Sequence, residues 1–159
     1  MTTGIILTIS WPEIVKMLSD SKKQIRLILP SIHSEWSDLL ESCQKNGINI
    51  KICLNNSEKF IRDGFGDDKA IQKLISLGIQ VNETHNNRIS LISVDNAHYL
   101  YFHTSRIFGS NIDDDVLNGI EVDQITGSII LSSFFPEEIP DLASALSQSN
   151  HYSQKVIPR

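Results

Sequence analysis

The sequence predicts an α/β protein, a mixed β-sheet flanked by helices, and three observations carry that expectation. Short β-branched runs alternate with stretches of helical period through the first half of the chain. Pro30, Gly47 and Gly78 punctuate the changes of element, as a residue that cannot continue a helix or strand does. From residue 89 the pattern changes: Ile89 to Val94 and Tyr99 to Phe102 meet at Asp95-Asn96, a turn-forming pair that predicts an antiparallel hairpin.

Taken in order, Gly4 to Ile9 reads as a strand. Ser10-x-x-Glu13 is a capping box with Pro12 in the first turn, where a missing N–H is harmless. Ile14, Val15 and Leu18 form the apolar stripe of the helix that follows. Ile25 to Leu29 is the second strand. Trp36, Leu39, Leu40 and Cys43 mark the next helix, which Asn46-Gly47 stops. Ile48, Ile50, Ile52 and Leu54 alternate with more polar residues, as in a strand. Asp67 can cap a helix bearing Ala70, Ile71, Leu74 and Ile75, closed by Gly78, and Ile79 to Val81 is a short strand. Beyond the hairpin, Ile120 to Ile125 reads as a strand, whereas Ser128 to Phe135 fits a helix or a last strand equally. Pro136 and Pro140 bracket a turn before a weak helix over 141–146.

A chain of 159 residues is one ordinary domain, able to bury roughly 70% of its unfolded surface, and we assign 1–150 to it with 151–159 as a tail. Forty percent hydrophobic and 21% charged residues describe a globular, ordered protein. The net charge of −5 argues against a duplex-binding surface. Cys43 and Cys53 fall within apolar patterns and read as buried free thiols, and no residues at ligand spacing suggest a metal or other cofactor. No basic leader and no apolar run of membrane-spanning length occur, so the expected location is the cytoplasm. Asn111-Ile-Asp-Asp-Asp115 looks like a calcium loop, but Val116 and Val122 stand where glycine and glutamate would be needed; it reads as a solvated acidic loop. Gly64-Phe-Gly66 is too short for a dinucleotide fingerprint and reads as a turn.

Three segments carry a resemblance to a known family. Lys23-Gln-Ile-Arg-Leu-Ile-Leu-Pro30, Leu39 to Leu54 ending Asn46-Gly-Ile-Asn-Ile-Lys-Ile, and Ala70 to Val81 ending Leu77-Gly-Ile-Gln-Val81 resemble one repeat of the phospholipase D-like superfamily, over about residues 4 to 135. The family motif is H-x-K followed by an aspartate. The histidine attacks phosphorus, the lysine neutralises the phosphate and the carboxylate orients the imidazole. Here Arg88 stands in the histidine slot, Ser90 in the lysine slot and Asp95 in the aspartate slot. A guanidinium stays protonated and is no nucleophile, so no catalytic residue is expected. The family's G-S-x-N turn aligns only loosely with Phe102-His-Thr-Ser105.

The resemblance then implies a binding site without a reaction. Arg88 offers a planar fork for phosphate or carboxylate, Ser90 lies two residues on along the same strand, and His103, Asp95 and Glu121 complete the candidate set. It also implies a homodimer, since single-repeat members pair two copies. Val94 to Tyr101 is similar to the effector domains of some transcription regulators, which implies a sensing role. No helix-turn-helix is evident, so contact with nucleic acid would need a further segment. The alternatives are a phosphodiesterase or nuclease with relocated histidines, such as His85, His98 or His103, and a protein-interaction scaffold with an exposed apolar face.

Overall fold

The computed structural model describes residues 6–55, 67–85, 89–102 and 116–138. Among them are strands β1 (Leu7–Ser10), β2 (Gln24–Leu29), β3 (Asn49–Asn55), β4 (Gln80–Thr84), β5 (Ser90–Val94), β6 (Ala97–Phe102) and β7 (Val116–Val122). The helices are α1 (Trp11–Ser19), α2 (Ser34–Lys45), α3 (Asp68–Ser76) and α4 (Gln124–Phe134), with a 3-10 turn at Pro136–Glu138. The strands form one mixed sheet in the order β1-β7-β6-β5-β2-β3-β4. β2, β3 and β4 run parallel, and every other neighbouring pair is antiparallel.

Side chains alternate across a strand, so each strand feeds two cores. On the first face Ile25, Leu27 and Leu29 of β2, Ile50, Ile52 and Leu54 of β3, and Ile92 and Val94 of β5 pack under α1, α2 and α3. Those helices contribute the apolar stripes read from the sequence, including Ile14, Leu18, Leu40, Ile71 and Leu74. Trp11 and Trp36 join α1 to α2 edge-to-face, with ring centroids 5.0 Å apart. On the second face Ile28, Cys53 and Leu91 pack under Leu131 and Phe135, from α4 and its C-cap. Both cysteines are buried free thiols, on opposite faces.

Most elements lie where the sequence put them, and their stops are the expected ones. The Ser10 N–H donates to Glu13 Oε2 at 2.9 Å in the capping box, and Gly47 and Gly78 take positive φ of 83° and 77° after α2 and α3. The C-terminal part differs. The strand expected at Ile120 to Ile125 runs instead from Val116 to Val122, because the Asp123 carboxylate accepts the Thr126 N–H at 2.7 Å and starts a helix. Ile125 therefore belongs to α4, and the ambiguous stretch from Ser128 resolves as helix up to Phe134. Gly64–Gly66, Asn111–Asp115, the weak helix over 141–146 and the tail lie outside the described residues.

One row across the second face is polar: Gln80, Lys51, Arg26, Ser93 and His98 stand side by side on successive strands. The 3-10 turn neutralises it. Glu138 Oε1 lies 2.5 Å from Arg26 Nε, and Lys51 Nζ lies 3.1 Å from Glu137 and 3.3 Å from Glu138. Arg26 Nη1 donates to the carbonyls of Ile25 and Asn49, both at 3.0 Å. The Gln80 amide, with help from Lys51, holds the Glu137 carboxyl down to about 2. Arg26 is 5% exposed, so its charge depends on that partner. Glu138→Ala should cost about 3 kcal/mol in urea unfolding, since it strands a buried guanidinium; Arg26→Met with Glu138→Leu should recover most of the loss.

Candidate ligand site at the ends of the parallel strands

The carboxyl ends of β2, β3 and β4 share one edge of the sheet with the start of β5, the end of β6, the start of β7 and the end of β1, as the strand registers require. In open α/β sheets ligands bind outside the carboxyl ends of parallel strands. Asn55, His85, Ile89, Phe102 and Val116, the residues that flank 56–66, 86–88 and 103–115, also stand at this edge.

Ser90 opens β5 there. Its side chain is 1% exposed, shares the first face with Ile92 and stands opposite Tyr101 of β6. Tyr101 is 2% exposed, and neither the Ser90 hydroxyl nor the Tyr101 phenol has a hydrogen-bond partner among the described residues. A buried hydroxyl without a partner costs free energy, and such groups are normally satisfied. Gly119 of β7 makes room for the ring: a Cβ there would lie 2.3 Å from the Leu100 carbonyl and 2.5 Å from Tyr101 Cδ1. Tyr99 lies alongside on the same face, its ring centroid 6.3 Å from that of Tyr101. Burial pushes both phenols up, and the Glu121 carboxylate adds to the shift of each. Glu13 of α1 also acts on Tyr101.

The other sequence candidates are dispersed. Glu121 pairs with Tyr99 across β6 and β7; it shares the face of Ser90 but is exposed. Asp95 sits beyond the far end of β5, roughly 16 Å from Ser90 at about 3.3 Å per residue. Its φ is 54°, the turn position that Asp tolerates. Its carboxylate accepts the N–H groups of Lys22, Lys23 and Gln24 at 3.0, 2.8 and 3.0 Å, tying the hairpin to the start of β2. Burial opposes the charged form there, but the three N–H groups outweigh it and hold the carboxyl below its ordinary value. Arg88 and His103 lie outside the described residues. Of the histidines considered for relocated chemistry, His98 points to the opposite face and His85 follows edge strand β4, three strands from β5. Sequence reasoning passed over Tyr101, which the period-two pattern of Ala97 to Phe102 could have placed beside Ser90. It also passed over His33, the N-cap of α2 after β2, whose imidazole burial holds below its ordinary value against Glu35 and Asp67. No cluster of three metal-ligating side chains occurs among the described residues, and no described helix is long and apolar enough to cross a membrane.

This architecture is a phospholipase D-like fold. Nuc of Salmonella typhimurium, a phospholipase D family member, superposes with a TM-score of 0.57 at 17% identity over 81% of this chain and 90% of its own. NucT from Helicobacter pylori gives 0.54 at 11% identity over 94% and 93%. TrmBL2, an archaeal chromatin protein with a novel mode of DNA binding, gives 0.52 at 10% identity over 84% of this chain and 52% of its own. No family sequence model matches the chain, and no curated protein sequence does.

Asp95→Ala removes an acceptor shared by three N–H groups and should cost about 2 kcal/mol of stability, with Asp95→Asn costing less. The folded pKa of Asp95 lies below the unfolded one, so the clasp contributes fully above the ordinary carboxylate range and is lost as pH falls through the folded value. Denaturation midpoints of wild type and Asp95→Ala should therefore converge in acid.

Proposed function

We propose that this chain is a non-catalytic phospholipase D-like module that binds a phosphorylated or other anionic small molecule and pairs with a second copy of itself in a regulatory system. The reading rests on the buried pair of Ser90 and Tyr101 hydroxyls without partners, at the slot where the family motif carries lysine. Neutral hydroxyls can hydrogen-bond a ligand, but they supply no cation to offset charge on a reacting phosphoryl group. The groups acting on Tyr101 in the described residues are Tyr99, Glu13 and Glu121, none of them a cation, so in this reading the anion's charge falls to Arg88, two residues before Ser90. A guanidinium suits that task and cannot be the nucleophile. The position of His98 on the opposite face speaks against a relocated nucleophile there.

An exposed apolar strip supports pairing. Ile89, Phe102 and Val116 are 43%, 57% and 54% exposed at the matching ends of β5, β6 and β7, on the sheet face opposite to that of Ser90 and Tyr101. A two-fold contact over this strip would cover apolar surface with an identical surface.

Purified protein should not hydrolyse bis-p-nitrophenyl phosphate or DNA above background; metal-independent turnover abolished by replacing one histidine would overturn the reading. In thermal-shift titrations with sugar phosphates and nucleotides, a stabilising anion should bind at least ~10-fold more weakly to Arg88→Ala, with Arg88→Lys intermediate. No anion-dependent shift in wild type, with Arg88→Ala merely less stable, would make Arg88 a structural ion pair. Light scattering should return twice the mass of one chain, and Phe102→Asp should return the monomer mass.

A further inference from the structure

Helix α4 lies on the second face of the sheet with its backbone against the imidazole of His98. A Cβ at Gly127 would stand 2.3 Å from Cγ, 2.4 Å from Cδ2 and 2.8 Å from Nδ1 of that ring. Any other residue at 127 would force helix and strand apart, so a glycine that weakens the helix is used to gain contact. The ring is 4% exposed, and its Nδ1 has no hydrogen-bond partner among the described residues. Directly across on β5, the fully buried Ser93 hydroxyl has none either.

The groups around His98 make its charge state matter. From α4 it meets the first turn, whose N–H groups carry the positive end of the helix dipole. Asp123, the helix N-cap, is the acidic group that acts on it, and that carboxylate already accepts the Thr126 N–H. From β7 its register partner is the neutral Val122. Along the polar row, beyond Ser93, stand Arg26 and Lys51, paired with Glu138 and Glu137. An imidazolium would thus be buried against a helix N-terminus, with one exposed carboxylate to offset it. Burial holds the imidazole below its ordinary value, and Asp123 only partly offsets that.

We propose that α4 is a pH-sensitive cover, which docks on the sheet while His98 is neutral and lifts when His98 takes up a proton. Lifting uncovers Ile28, Cys53 and Leu91, which α4 and its C-cap bury through Leu131 and Phe135, and leaves the core under α1, α2 and α3 in place. The sign follows from linkage. The docked value lies below the undocked one, so docking is strongest above the usual imidazole range and weakens as pH falls below it.

The two cysteines allow a direct test, because Cys53 lies under α4 and Cys43 lies in the opposite core. A dipyridyl disulfide, which stays reactive toward thiols in acid, would be applied to the whole chain between about pH 7.5 and about pH 5, across the histidine range. Labelling of Cys53 should rise relative to Cys43 by about tenfold for each unit separating the docked and undocked values of His98. His98→Phe should keep Cys53 protected throughout. Equal labelling of both thiols would mean general acid unfolding, and a flat Cys53 profile would mean no cover opens; either result overturns the proposal, as does unchanged pH dependence in His98→Phe. Should that variant not fold, magnetic-resonance titration of the wild-type ring decides: a midpoint shared with loss of α4 amide protection supports the cover, and separate midpoints overturn it.

Discussion

Strand β2 is buried on both faces and pairs parallel with β3 on one side and antiparallel with β5 on the other. Every element beyond it is placed by that one change of direction. Without it the chain would be a succession of strand-helix units; with it, the β5-β6 hairpin enters the centre of the sheet and brings β7 and β1 to the far edge. The Asp95 clasp secures the joint, since the carboxylate that turns the hairpin also binds the first N–H groups of β2. In the family motif this aspartate is a site residue. Here it stands a strand's length from Ser90 and joins the sheet together.

The same hairpin distributes polar groups to two faces. Ser90 and Ser93 are three residues apart on β5, an odd spacing that turns them to opposite sides. Each meets a β6 side chain of its own, Tyr101 on the first face and His98 on the second, and all four carry a polar atom without a partner. Buried polar groups are normally satisfied, so two such pairs in one hairpin are a local cost that the surrounding core sustains. On the first face the pair lies at the edge where ligands reach α/β sheets. On the second it lies beneath a helix.

The polar row on the second face shows how charge is kept in a sheet interior. Arg26 and Lys51 would be untenable under an apolar helix alone, and the short acidic turn after α4 supplies both counter-charges. That turn also fixes where α4 ends. Those ion pairs, with Leu131 and Phe135, oppose lifting at the C-terminal end of the cover, so the charge on His98 has to outweigh them before Cys53 is uncovered.

The sequence by itself determined the strands and helices as far as the hairpin, because period and punctuation are local: a glycine at positive φ ends α2 and α3, and alternation marks β3. The end of β7 was misplaced because Ile120, Val122 and Ile125 give no sign of where the strand stops, and only the capping role of Asp123 divides strand from helix. α4 itself was ambiguous, since the short apolar runs Ile129 to Leu131 and Phe134-Phe135 fit a strand or a helix. Tertiary structure decided what pairing decides. Strand order decided which core each face of the hairpin meets and set the Asp95 carboxylate against the start of β2. Such contacts join residues distant in the chain, and no short-range pattern encodes them.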